Sequence, residues 1–257
     1  MQQQFRVIMT LTVLSMLAVS PLPAATLADR LLASYDAVQT MTCEIRRDTE
    51  AGGQRVRFLS RIAYARPDRL NVENVEPLAR RIVADGTNFF SYADGDPKGF
   101  SRPIARLDKP MLDSLRKLPG TAMDHLFQLS GVAETNLPGT ADNPVRRGYA
   151  TPKVFAVLNL DPSGRLARIE FFTSSTCQTT LGKYDYSDFI EAAPGVWIAR
   201  MHKGGFSLGK ITSRETLRVT ALTVNQPIPP AMFIAAPFFR RVEFASTFDA
   251  IYDAMAP

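Results

Sequence analysis

The stretch Gly204-Gly-Phe-Ser-Leu-Gly-Lys-Ile211 comes within one residue of the loop that cradles nucleotide phosphates: Gly, four residues, Gly, Lys, then Ser or Thr. That chemistry needs a hydroxyl after the lysine to hold Mg²⁺, and a helix whose amino end faces the phosphates. Ile211 supplies no hydroxyl. The following ITSRETLRVTALTV alternates Ile211, Leu217, Val219 and Ala221 with Thr212, Arg214, Thr216, Arg218 and Thr220, the two-residue period of a half-buried strand. GVWIARMHK upstream also reads as extended, so Gly204 and Gly205 are expected in the connection of a hairpin, not around a phosphate.

Other reactive side chains are sparse. His125 falls in a helical segment and His202 at a strand end, and neither has the His/Glu spacing of a metal site. No Gly-x-Ser-x-Gly elbow appears, and Asp113, Asp124 and Asp188 read as solvated carboxylates on helices and loops. No catalytic residue, metal or cofactor is expected, since a functional claim needs a site and no constellation forms one. Cys43 and Cys177 are the only cysteines. They are free to pair or to stay as two thiols; a bond between them would close a loop of over a hundred residues, worth about 4 kcal/mol in the chain-entropy picture.

The location comes from the first residues. MQQQFR carries one positive charge, Val7–Ser20 is a short apolar run, and PLPAAT supplies small residues at Ala24 and Ala25, the pattern of a secretory leader over residues 1–25. Export to the periplasm follows. Of the net charge of +5, the leader holds one Arg. The remaining excess is spread over Arg-Arg pairs beginning at Arg46, Arg80, Arg146 and Arg240, which argues against a nucleic-acid groove and fits a solvated basic face with weak attraction for anionic lipid or acidic partners.

The elements then follow in order within one domain over residues 26–257. Leu27, Leu31, Tyr35 and Val38 predict an amphipathic helix over about 26–40. In RVRFLSRIAYARPDRLNV the even positions Val56, Phe58, Ile62, Tyr64, Leu70 and Val72 are apolar, and Arg55, Arg57 and Arg61 take odd ones. Hairpins are predicted at Asp85-Gly86, at Asp161–Gly164 and at Pro194-Gly195, with no crossover helices, hence an antiparallel meander. Residues 106–131 break the pattern: Met111, Leu112, Leu115 and Leu118, then Met123, Leu126 and Phe127 beyond Pro119-Gly120, predict two short helices inserted mid-sheet. Phe248, Ile251, Tyr252 and Met255 predict a helical tail.

This order, together with LLASYDAVQTMTCEIRR, IAYARPDRLNVE, IVADGTNFFSYADG and VNQPIPPAMFIAAP, resembles the outer-membrane lipoprotein carrier family, including its uncharacterised periplasmic branch. The resemblance implies a mainly β fold: a curved, unclosed antiparallel half-barrel whose concave face is covered by short helices. It implies a cavity for acyl chains of lipoproteins or another lipid, lined by Phe58, Ile62, Tyr64, Leu70, Val72, Ile82, Phe90 and Tyr92, under a lid of Met111, Leu112, Leu115, Leu118, Met123 and Phe127. Methionines in such a lid adapt to variable chain shapes. Arg66, on the even parity, would point inward and latch the lid through helix carbonyls. The same face also reads as an ordinary filled core.

The expected role is a monomeric periplasmic carrier or chaperone without enzymatic activity, exchanging cargo with membrane donor and acceptor proteins. The alternative is a periplasmic sensor or scaffold that uses the half-barrel for partner contacts alone.

Overall fold

The computed structural model describes residues 24–209 and 211–252. The expected leader, Met255 and Lys210 lie outside the described residues, apart from Ala24 and Ala25. Among the described residues no helix is long and apolar enough to cross a membrane.

The chain opens with α1 (Leu27–Ser34), capped by Thr26, whose hydroxyl accepts from the Asp29 amide while the Asp29 carboxylate accepts from the Thr26 amide. One 3₁₀ turn follows, Tyr35–Ala37, and then the backbone straightens at Val38. The helix is therefore shorter than the 26–40 that periodicity predicts, because β1 already begins at Thr40.

The strands of the first half are β1 (Thr40–Ala51), β2 (Gln54–Ala65), β3 (Arg69–Glu76), β4 (Arg80–Asp85), β5 (Asn88–Ala93) and β6 (Gly99–Pro103). After a 3₁₀ turn come α2 (Lys109–Arg116) and α3 (Met123–Phe127). The second half is β7 (Glu134–Leu137), β8 (Val145–Ala150), β9 (Phe155–Leu160), β10 (Leu166–Phe172), β11 (Thr180–Ala193), β12 (Val196–Leu208) and β13 (Ile211–Val224), with β14 (Phe244–Ala245) and α4 (Asp249–Tyr252) last.

The fourteen strands among the described residues form one open sheet in the order β14-β6-β5-β4-β3-β2-β1-β13-β12-β11-β10-β9-β8-β7, antiparallel except for β14 beside β6. The chain runs from the middle of the sheet to one border, then from the other border back to the middle, where β13 pairs with β1. The connection from β6 to β7 must therefore cross the whole sheet. It crosses on the concave side and carries α2 and α3 there, so the mid-chain helical insertion is the price of joining two meanders.

The core lies on this concave side. Met41, Ile45, Tyr64, Leu70, Leu158, Ile169, Leu217 and Val219 of the sheet pack with Leu27, Tyr35 and Val38 of the first helical segment and with Leu115, Leu118, Met123 and Leu126 of the insertion. Burial of such side chains contributes roughly 1.5–3 kcal/mol each. Gly120 presses against the sheet: a Cβ there would meet Ile45 Cδ1 at 2.8 Å.

Two glycines depart from expectation. Gly204 and Gly205 lie inside β12, paired with Tyr184 and Lys183, and the chain turns at Gly209 instead. They are there because the strands approach closely: a Cβ on Gly204 would collide with the Lys183 carbonyl, and one on Gly205 with the Ser213 carbonyl.

After β13 the chain forms a strap over the convex face. Asn71 Nδ2 donates to the Met232 carbonyl at 2.6 Å, Phe233 and Phe239 are buried, and Arg81 stacks on Phe238 with its guanidinium carbon 4.6 Å from the ring centre. The strap ends by wrapping the β6 border, where Phe248 stacks on Phe100 with ring centres 4.3 Å apart.

Candidate functional site

Register decides which side chains face the helices. Gly52 and Gly53 make a two-residue turn, so Ala51 pairs with Gln54, Ile45 with Ser60, and Arg47 with Phe58. Antiparallel partners share a face. The inward set thus runs Ile45 and Arg47 on β1, Phe58, Ser60, Ile62 and Tyr64 on β2, Leu70 and Val72 on β3, and Ile82 and Ala84 on β4.

Against this wall the segment Ser114–Asp124 leaves a cleft of about 390 Å³. Its apolar lining is Ile45, Phe58, Ile62, Leu70, Val72 and Leu118. Polar groups gather at its margin: Arg47, Ser60, Asn74, Lys117 and Asp124. Lys117 Nζ lies 2.8 Å from Asp124 Oδ1 and 5.5 Å from the centre of the Phe127 ring, and Arg47 Nε lies 3.7 Å from Glu215 Oε2. Phe58 remains 39% exposed, which leaves its ring available to a ligand.

The cover is built from short elements. Asp108 caps α2 by accepting from the Met111 amide at 2.9 Å, with Pro110 in the first turn. Leu115, Leu118 and Met123 are buried in the core, Met111 and Leu112 are partly buried against it, and Phe127 is 38% exposed. Tyr64 sits beneath the cover with no exposed surface, and its hydroxyl donates to the Arg116 carbonyl at 3.0 Å. Burial pushes the Tyr64 phenol above its usual pKa, so it stays a donor. Arg116 Nε reaches Asp68 Oδ1 at 3.0 Å, a second tie between cover and sheet.

Arg66 is inward and largely buried, but it does not reach residues 106–131. Its Nε donates to the Val38 carbonyl at 3.0 Å and an Nη to the Tyr35 carbonyl at 3.3 Å, with Asp36 Oδ1 3.1 Å from the other Nη. These carbonyls stand at the end of the first helical segment, where the Tyr35 carbonyl also accepts from the Val38 amide, and they lie within reach of a residue just past β2.

Phe90 and Tyr92 lie outside the cleft, on the convex face. Ala84 pairs with Phe89 across an even-numbered loop, so the inward parity passes from even in β4 to odd in β5. Phe89 takes the inward place, while Phe90 packs on Phe239 and Phe244 of the strap at 6.1 and 5.4 Å, and Tyr92 sits opposite Arg81. Ile82 faces inward beside Val72 and packs against the core without lining the cleft. Cys43 and Cys177 are both free thiols: Cys43 is buried on the concave side, its pKa pushed up to about 12 by burial, and Cys177 packs with Phe155, Val157 and Phe172 in a separate cluster.

No protein-family model and no curated protein matches the chain. Solved structures do. An outer membrane lipoprotein-sorting protein domain from Vibrio parahaemolyticus superposes with a TM-score of 0.50 at 10% identity, over 80% of this chain and 94% of that one. The chain shares the fold of that domain. A DUF1329 family protein from Desulfovibrio piger matches it with the same TM-score of 0.50 at 13% identity, over 82% of this chain and 95% of that one.

Within this fold, α3 divides the concave trough. On its far side a second cleft of about 360 Å³ is lined by His125, Leu129, Pro152, Val154, Phe171 and Phe206. His125 stacks on Tyr184 at 4.4 Å, and burial holds its pKa below the usual value. His202 lies inside β12 on the concave face, not at a strand end; it is buried against Tyr186, with Nε2 3.0 Å from the Ala199 carbonyl. Asp113 and Asp188 pair with Lys109 and Arg200. Among the described residues no group of His, Cys, Asp and Glu side chains has metal-binding geometry. Ile45, Arg47, the polar margin of Ser60, Asn74 and Lys117, and the Tyr64–Arg116 bond are parts of the site that the sequence reading missed. The first two follow from the Gly52-Gly53 register; the bond has no local signal.

Proposed function

We propose that the protein is a periplasmic carrier or chaperone that shields acyl chains of lipoproteins or another lipid in the cleft between β1–β3 and the α2–α3 cover, without catalysing a reaction. The observation that supports this reading is the cleft itself: one wall of Ile45, Phe58, Ile62, Leu70 and Val72, a cover of few short elements, and a volume within the roughly 300–1,000 Å³ of ligand pockets. Each methylene placed there contributes about 0.8 kcal/mol. Loading and release require the cover to move, and its few polar ties, Tyr64 to the Arg116 carbonyl and Arg116 to Asp68, suit a cover that opens. The carrier acts as a monomer and trades cargo with membrane donors and acceptors.

Val72→Glu tests the reading. A carboxylate in the cleft is costly to desolvate beside an acyl chain. Uptake of a fluorescent fatty-acyl probe falls in Val72→Glu and persists in Tyr92→Glu, whose change lies on the convex face. Equal uptake by both folded variants sinks the proposal.

A further inference from the structure

Arg46 and Arg218 stand directly opposite each other in the β1–β13 ladder, both exposed and both on the outward parity. Like charges so placed destabilise a sheet. Neither makes an ion pair among the described residues, and the same holds for Arg214 and Lys203, exposed on the same face. On the adjoining part of β2, Arg55 and Arg57 share one carboxylate, Asp48, at 3.8 and 3.1 Å. A second carboxylate of this stretch, Glu50, lies between Arg55 and Arg214 in the register. Six cations thus face Asp48 and Glu50, while the flanking carboxylates Glu44 and Asp185 are engaged by Arg61 and by Arg168 and Lys183.

The strap covers the convex face at Asn71, Arg81 and Phe90 and leaves this part of β1, β12 and β13 open. We propose that this open convex face docks on an anionic lipid bilayer. A folded protein partner would call for an apolar centre within the patch. Here the face is a broad array of guanidinium and ammonium groups, on strands roughly 4.8 Å apart, suited to a field of headgroup phosphates. The large apolar residues within it, Leu59 opposite Arg46 and Met201 opposite Arg218, are half-buried and stand at opposite ends of the Arg46–Arg218 row, so they form no apolar centre. Basic groups near an anionic leaflet add to its attraction, and the sum weakens with salt. The docking claim needs no cargo, so it stands or falls apart from the carrier reading.

The test is sedimentation of the cargo-free protein with phosphatidylcholine vesicles, with and without phosphatidylglycerol. Binding is expected only with phosphatidylglycerol and is expected to weaken as salt rises. Arg46→Glu with Arg218→Glu should weaken it by about tenfold or more, whereas Arg240→Glu with Arg241→Glu, an equal charge change on the exposed strap, should leave it within about twofold. Arg46→Gln with Arg218→Gln gives an intermediate loss and serves if the reversed pair fails to fold. Equal binding to both vesicle types overturns the proposal, as does equal loss in both reversed pairs. So does indifference to vesicles combined with retention on immobilised polyglutamate, which assigns the face to acidic proteins.

Discussion

The hydroxyl of Tyr64, a residue with no exposed surface, donates to the main-chain carbonyl of Arg116 at 3.0 Å and so fastens the last turn of α2 to the end of β2. Tyr64→Phe keeps the ring and removes that donor, leaving a helix-end carbonyl unpaired. A loss of about 1–2 kcal/mol is expected. Hydrogen exchange across Met111–Phe127 should quicken while the strands around Ile62 and Val219 hold their protection. Unchanged exchange in the cover would remove Tyr64 from the fastening.

Arg66→Leu has a different target. Its guanidinium serves the Val38 and Tyr35 carbonyls, so exchange should rise at Leu32–Gln39 and stay level in α2 and α3. Two hydrogen bonds from a charged donor are lost, for a stability decrease of about 2–4 kcal/mol in urea unfolding. A rise confined to α2 and α3 would restore Arg66 as the latch of the cover.

Gly120→Val combines two penalties. The backbone there has φ of +68°, and a Cβ would meet Ile45 Cδ1 at 2.8 Å and Val219 Cγ2 at 3.1 Å. A destabilisation of about 2–3 kcal/mol is expected, with faster exchange in α2 and α3 because the crossing segment lifts from the sheet. Wild-type stability would show that the segment does not bear on β1 and β13.

His202 predicts an acid-side loss of stability. Burial, ahead of all other causes, pulls its pKa from the usual 6.5 to about 4. A base whose folded pKa is depressed binds its proton more readily when unfolded, so its contribution is complete above about pH 6.5 and shrinks as the pH falls toward 4. The span is on the order of 3 kcal/mol. His125, shifted in the same direction, adds to it. The urea midpoint should drop between pH 7 and pH 4.5 in the wild type and drop less in His202→Gln. Equal slopes would place the proton elsewhere.

Much of this was legible in the residues. Alternation in RVRFLSRIAY put Phe58, Ile62 and Tyr64 on one face, and the greasy Met111–Phe127 segment marked the cover. The failures have physical causes. Phe90 and Tyr92 share the parity of Ile82, yet the even-numbered loop between β4 and β5 reverses parity, and the convex face has its own apolar partners in Phe239 and Phe244. Arg66 needed carbonyls, as a buried guanidinium does, but which helix supplies them depends on the path of the chain rather than on local sequence. Gly204 and Gly205 looked like a turn because glycine serves close strand approach as readily as positive φ.

The central claim, that the cleft under α2 and α3 receives acyl chains, is tested most directly by photocrosslinking a diazirine-bearing fatty acid to the full chain and mapping the adducts by mass spectrometry. The account predicts adducts at Phe58, Ile62, Val72 and Leu118, competed away by unlabelled fatty acid. Adducts confined to the convex face around Phe90 and Tyr92, or none that unlabelled fatty acid displaces, would contradict it.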